Sequence, residues 1–342
     1  MSENKQAIET VLNQEVVGTT LPTAFEVYTK KLFGEERYNV FCKGLQQPSP
    51  VSIRLNPFKT SETTKVADSF APTPVAWCKE GFYLNARPNF TFDPLFHAGA
   101  YYVQEASSMF LSHVLRCLVR KPIALLDLCA APGGKTTCAR TAIAEGSIVF
   151  SNEPINKRAQ ILAENVQKFG HSDVVVTNNY PGDYKKTKLA FDVIVADVPC
   201  SGEGMFRKDP QAIAEWSEQN VANCWQLQRT IIADIWDNLK PGGLLIYSTC
   251  TFNAHENEEN TAWILSEYDA KLLEVPMEKA WNITGSLIEN PLKVGKPFPV
   301  YRFIPGFTQG EGLFMAIIKK GGTSTNLEPN AEKLVSEANK KL

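Results

Sequence analysis

Two cysteines stand out because of what flanks them: Cys200 within Asp197-Val-Pro-Cys-Ser-Gly-Glu-Gly204, and Cys250 within Tyr247-Ser-Thr-Cys-Thr251. A thiol attacks carbon as its thiolate, and a neighbouring carboxylate such as Asp197 can orient a substrate or stabilise the charge that develops. A third segment, Asp127-Leu-Cys-Ala-Ala-Pro-Gly-Gly-Lys-Thr136, carries Gly133 and Gly134 at a turn where backbone can approach a ligand and aim N–H groups at it. Cys129 stands where a phosphate loop requires glycine, and the spacing is not that of the dinucleotide fingerprint either. Glu153 follows the turn by about 20 residues, the distance at which nucleotide-binding α/β folds place an acid on ribose hydroxyls. Turn and acid together predict a bound nucleoside, and a cofactor without phosphate, such as S-adenosylmethionine, explains the missing phosphate loop.

These segments need a scaffold, and the hydrophobic pattern supplies one. From residue 121, short apolar strands (Ile123 to Leu128, Ser147 to Asn152, Val174 to Thr177, Phe191 to Asp197, Leu244 to Ser248) alternate with helical stretches (Lys135 to Ala144, Pro154 to Phe169, Ser217 to Leu239). Pro154 suits a first helical turn, Gly170 a helix stop, and Lys240-Pro-Gly-Gly243 a break before the next strand. Asn253 with Glu256 reads as a capping box opening a helix through Trp263. Strands that are nearly all apolar predict a parallel sheet covered on both faces, hence a Rossmann-like, doubly wound α/β domain over residues 121–320. The chemistry-bearing residues then fall at strand carboxyl ends, where such sheets bind ligands. Before it, residues 21–120 read as a smaller α+β lobe with a connecting helix. One or two amphipathic helices span Leu21 to Gly44, with Phe25, Tyr28, Leu32 and Phe33 on one face, and Val51 to Pro57 alternates like a half-buried strand. Residues 1–20 and 321–342 are polar end segments.

Composition narrows the class. The 342 residues are 44% hydrophobic and 21% charged, and 35 basic against 37 acidic residues give a net charge of −2, which excludes a uniformly basic nucleic-acid coat but leaves room for a local basic face. The polar start lacks a secretory signal, so the expected location is the cytoplasm. Eight cysteines without any C-x-x-C, and four scattered histidines, predict reduced thiols and no metal site.

A thiolate beside a methyl donor has a specific use. Carbon 5 of cytosine becomes nucleophilic once a thiolate adds to carbon 6, because the ring is then an enamine; the C5 proton must afterwards leave to a base. Asp197 is suited to the N3 and N4 edge of such a base. The residues alone leave open which cysteine attacks.

The three segments resemble the motifs of the Sun/Fmu family of RNA cytosine-C5 methyltransferases, over about Leu21 to Lys320 and most nearly its RsmF (YebU) group, which acts on small-subunit ribosomal RNA. The resemblance implies that Cys250 is the nucleophile, that Cys200 assists breakdown of the adduct, and that S-adenosylmethionine is held by Cys129, Ala130, Ala131, Pro132, Gly133, Gly134 and Lys135, by Glu153 and Arg158, and by Asp197. Where the family commonly has an adenine-contacting Asp, Tyr180 stands here, and Asn179 or a backbone group is the expected replacement. It also implies that residues 20–90 are an RNA-recognition-like lobe. Arg54, Lys59, Arg207 and Lys208 are candidates for RNA phosphates, and Tyr101, Tyr102 and Trp216 for stacking on an unpaired base. Relatives often continue into a C-terminal RNA-binding domain, whereas this sequence ends soon after Lys320. The expected partner is RNA, ribosomal before transfer RNA, with neither DNA nor membrane. A non-catalytic RNA-binding ribosome-assembly factor is the rival from another class. Amino-group methylation fits poorly, because Asp-Val-Pro-Cys offers a thiol where that chemistry uses an amide and an aromatic ring.

Overall fold

A computed structural model describes residues 20–60, 72–293 and 295–327. The expected polar segment before residue 20 and the tail beyond 327 lie outside the described residues, as does the start of the Pro-rich stretch at Ala71.

In the middle of the central sheet, successive side chains of two neighbouring strands enter different cores. Val193 and Val195 of β8 (Phe191–Asp197) enter one core while Ile194 and Ala196 enter the other; Leu244 and Ile246 against Leu245 and Tyr247 do the same in β9 (Leu239–Thr249). That alternation of two apolar faces is what an uninterrupted apolar strand implies. The sheet orders its strands β10-β12-β9-β8-β5-β6-β7, with β11 (Tyr301–Phe303) paired to β12. The parallel part is β5 (Ala124–Asp127), β6 (Ile148–Asn152), β7 (Val174–Thr177), β8 and β9. Order reverses between β5 and β8, which opens a crevice at their carboxyl ends.

One side of the sheet ends differently from the expected all-parallel pattern. β10 (Ala270–Leu272), β11 and β12 (Leu313–Lys320) pair antiparallel, with Phe314 opposite Thr249 of β9. Lys240-Pro-Gly-Gly243 is no break but the irregular first part of β9, accommodated by a register shift against β8. Pro154 precedes its helix by two residues instead of lying in the first turn, whereas Gly170 closes that helix with φ +77° as expected.

The smaller lobe is a sheet ordered β2-β3-β1-β4, comprising β1 (Val51–Leu55), β2 (Thr73–Val75), β3 (Cys78–Leu84) and β4 (Tyr101–Val103). β1 lies between two partners and is mostly buried, not half-buried as alternation suggested. Helices α1 (Thr23–Phe33) and α2 (Glu35–Leu45) present Phe25, Phe33 and Phe41 to Phe206 and Phe252, rings that follow the two cysteine loops. A short helix, α3 (Pro94–His97), and then α4 (Phe110–Leu118) complete this part. Helix α4 buries Phe110, Leu111, Val114, Leu115 and Leu118, each contributing about 1.5–3 kcal/mol, and so fastens the lobe to the large sheet. Among the described residues no helix is long and apolar enough to cross a membrane.

Candidate active site

The turn after β5 opens helix α5 (Gly134–Ala142). Gly133 has φ +111°, and a Cβ there would meet Leu162 Cδ1 at 3.2 Å, so the turn needs glycine. Its base is stitched by Asn152, which the sequence reading did not single out. The Asn152 amide donates to the Leu128 carbonyl (3.0 Å) and the Asn179 carbonyl (2.9 Å), and its oxygen accepts from the Thr177 hydroxyl (3.0 Å). One side chain thereby fixes the ends of β5, β6 and β7.

Arg54 belongs to this framework. It is 1% exposed, donating to Gln104 Oε1 (2.8 Å) and to Thr137 Oγ1 (2.6 Å) in α5, so it ties the small lobe to the turn and is not a phosphate ligand. Arg207 is likewise consumed, by Glu311 (2.7 Å) and by the carbonyls of Gly44 and Gly310. Lys59 is exposed but donates to the carbonyls of Ala98 and Lys168. Tyr101 is buried with its hydroxyl on Asp93, and the Trp216 indole donates to Glu203 (3.1 Å). Of the RNA candidates, Tyr102 and Lys208 border the crevice.

The crevice holds about 390 Å³. Cys129 to Pro132, Gly134 and Lys135 line it, together with Asp197 and Cys250. Glu105, Met205 and Glu311 to Leu313 also contribute walls that the sequence reading missed; the sole cue was the Gly310-Glu-Gly312 turn before a long apolar run. Lys135 Nζ lies 2.8 Å from Asp197 Oδ2, whose other oxygen accepts from Ser248 (2.7 Å). Burial pushes the Lys135 ammonium down, but the charge and hydrogen bond of Asp197 more than offset that and hold it protonated.

Glu153 and Asn179 stand just beyond the ends of β6 and β7, and Arg158 lies in the first turn of the helix that follows β6. Glu153 is buried; one oxygen accepts from Ile155 N–H, while the other makes no hydrogen bond and has Arg158 at 3.4 Å, a charge contact only. A buried carboxylate oxygen short of donors suits a vicinal diol, so the residues fit a nucleoside cofactor. Arg158 also donates to the Ala131 carbonyl (3.2 Å). Asn179 is exposed, its backbone engaged on both sides by Asn152.

Cys200 and Cys250 leave adjacent strands, as expected, and their Sγ atoms lie 3.2 Å apart. Cys250 borders the crevice, whereas Cys200 sits behind it. The hydrogen bond to Cys250, together with burial and the charge on Cys250, holds the Cys200 thiol well above its ordinary range, so Cys200 stays protonated. The capping box is only half made: Asn253 Oδ1 accepts from Glu256 N–H (2.9 Å), but Glu256 turns its carboxylate to Ser201 N–H (3.0 Å). The residues continue as a π-turn, His255–Glu259, before α9 (Asn260–Glu267), numbered after α6 (Asn156–Phe169), α7 (Pro210–Glu215) and α8 (Glu218–Ile235). Among the described residues no group of three or more metal-ligating side chains is assembled.

Fold and site define a Rossmann-like α/β domain whose switch point carries a crevice with a pair of adjacent cysteines, lined by residues that fit a nucleoside. The family described as 16S rRNA methyltransferase RsmB/F matches residues 119–319, the N-terminal domain of 16S rRNA methyltransferase RsmF matches residues 21–106, and the chain belongs to this family. It is 33% identical over 295 residues to ribosomal RNA small subunit methyltransferase F of Enterobacter sp. and 32% identical to that of Pectobacterium atrosepticum, covering 83% of this chain and 59% of each relative. The chain thus spans about three fifths of the length of these curated relatives. Among solved structures, a methyltransferase homolog protein from Pyrococcus horikoshii is similar with TM-score 0.71 and 25% identity, covering 94% of this chain and all of that one.

Proposed function

We propose that the protein is an S-adenosylmethionine-dependent RNA cytosine-C5 methyltransferase that acts in the cytoplasm on 16S ribosomal RNA. The observation that carries this reading is the pair of thiols 3.2 Å apart beside the Asp197–Lys135 ion pair. The relatives named for small-subunit ribosomal RNA support the choice of RNA.

The crevice residues Cys129 to Lys135 would hold the cofactor's methionine end, Glu153 its ribose hydroxyls, and Arg158 and Asn179 the rim. When bound, the cofactor supplies an electrophilic methyl on a sulfonium, which carbon 5 of the activated base takes up. The target cytosine must be unstacked, because its ring face is closed inside a duplex. Cys250, bordering the crevice, adds as thiolate to C6, the new S–C bond making C5 electron-rich. Asp197 accepts from the exocyclic amine, and the Lys135 ammonium offsets negative charge that develops during attack. A solvent base takes the C5 proton, and the electron pair so released expels Cys250 and restores the aromatic ring. Cys200, held protonated next to the departing sulfur, is placed to give it a proton. The test is methyl transfer from labelled cofactor to purified 16S and transfer RNA followed by nucleoside analysis; 5-methylcytosine in 16S RNA supports the reading, and methyl on N4 or on ribose refutes it.

A further inference from the structure

The two cysteine loops hold each other through a crossed pair of carboxylates. Glu203, in the Cys200 loop, reaches into the Cys250 loop: one oxygen accepts from Phe252 N–H (2.6 Å) and Asn253 N–H (3.0 Å), the other from the Asn253 amide (3.0 Å) and the Trp216 indole (3.1 Å). Glu256, just beyond the Cys250 loop, reaches back. Its Oε2 accepts from Ser201 N–H (3.0 Å) and Gln228 Nε2 (2.7 Å), and its Oε1 from the Asn253 amide (2.8 Å). Gln228 also donates to the Pro199 carbonyl (2.8 Å), so the residues on both sides of Cys200 are gripped. A hydroxyl bridge, Ser201 Oγ to Thr251 Oγ1 at 2.8 Å, and the Gly204 N–H on the Cys250 carbonyl at 2.7 Å complete the junction.

Both carboxylates are buried, Glu203 at 2% and Glu256 at 0% exposure, and every hydrogen-bond partner named for them is an uncharged N–H donor. Two buried anions close together are costly, and a cation or apolar residues would hold two loops with less strain on ionisation. What crossed carboxylates add is direction: Glu203 takes Phe252 and Asn253 N–H groups and Glu256 takes the Ser201 N–H from the opposite loop at fixed angles, so neither loop can shift without leaving a buried carboxylate short of donors.

We infer that Glu203 and Glu256 are positioning residues that set the distance and orientation between the Cys200 and Cys250 thiols. In the reaction proposed above, on which the catalytic part of this inference rests, they fix the geometry in which one thiol protonates the other's departing sulfur. Neither carboxylate lines the crevice.

Thiol proximity can be read without RNA. Diamide oxidises two adjacent thiols to a disulfide, itself taking up the two protons and two electrons as its hydrazine, and peptide mass spectrometry reports the Cys200–Cys250 bond. Wild type should oxidise rapidly. Glu256→Gln, whose amide can face only one of its two donor sets correctly, should slow this bond and the turnover number by about 10- to 100-fold, as expected when reacting groups are misplaced by about 1 Å. KM for RNA and the cofactor Kd should stay as in wild type. Oxidation and turnover at wild-type rates would overturn the inference. Should Glu256→Gln fail to bind cofactor or lose its folded circular dichroism, Thr251→Val, which removes the hydroxyl bridge and one acceptor of the Asn253 amide but leaves both carboxylates, decides by the same two readouts. If wild type methylates no RNA, the functional reading fails, while the disulfide rates still judge the clasp.

Discussion

Cys200 and Cys250 are separated by 50 positions in the chain, and their sulfur atoms are 3.2 Å apart. The parallel pairing of β8 with β9, in which Asp197 faces Ser248, starts both loops side by side. Gly204 closes them, since a Cβ at that position would stand 2.6 Å from the Cys250 carbonyl oxygen.

That contact makes Gly204→Ala a sensitive substitution. We predict a loss of about 100-fold in single-turnover methyl transfer, the scale of a displacement of about 1 Å at reacting groups, with cofactor affinity retained. Rates within a factor of two of wild type would show that the loop spacing does not limit the chemistry.

Glu153→Ala removes a carboxylate whose free oxygen suits ribose hydroxyls. A hydrogen bond to a charged group contributes about 1.5–3 kcal/mol, so calorimetry should show cofactor binding weakened by about 10- to 100-fold. Unchanged affinity would move the ribose elsewhere.

How much of this was legible in the sequence follows from which physics each residue obeys. Strands β5, β8 and the second half of β9 were readable because burial on both faces makes the whole strand apolar, while β6 and β7, with Ile148 and Val175 exposed, were readable from their apolar runs and spacing; the carboxyl-end location of Asp127, Glu153 and Asp197 followed from these strand positions. The antiparallel strands β10 to β12 were missed: β10 and β11 are three residues each, and the long apolar β12 carries no helix before it to mark a crossover. Arg54 and Arg207 were misread because charge alone suggests solvent, whereas Arg54 Nε and Nη2 are bound internally by Gln104 and Thr137, and Arg207 by Glu311 and backbone carbonyls. The partial capping box at Asn253 shows a local rule overridden by a tertiary acceptor, Glu256 serving Ser201 instead of its own helix start.

Arg302 and Glu258 form a fully buried pair, with Arg302 also donating to the Phe252 carbonyl (2.7 Å) in the Cys250 loop. Arg302→Met leaves the carboxylate uncompensated and should cost about 3–5 kcal/mol in chemical denaturation. A cost below 1 kcal/mol would mean that water or another donor replaces the guanidinium.

Asp127 is buried, and burial, against the hydrogen bond from Thr136 and reinforced by the Asp197 and Glu153 charges, lifts its carboxyl from 3.8 to about 7. A raised acid binds more protons folded than unfolded between these values, so its contribution to stability is present below pH 4 and is lost as pH rises through 7. Glu256, lifted from 4.5 to about 7, acts with the same sign. Denaturation of Asp127→Asn across pH 4–7 should show a shallower fall in stability than wild type; an identical slope would remove Asp127 as its source.

The most direct test of the account is the fate of the covalent protein–RNA bond in the two cysteine variants, incubated with cofactor and 16S RNA and run on denaturing gels. Cys200→Ala should accumulate a protein–RNA adduct, because Cys250 still attacks but departs slowly, and Cys250→Ala should form neither adduct nor 5-methylcytosine. An adduct trapped in Cys250→Ala and absent from Cys200→Ala would contradict the assignment.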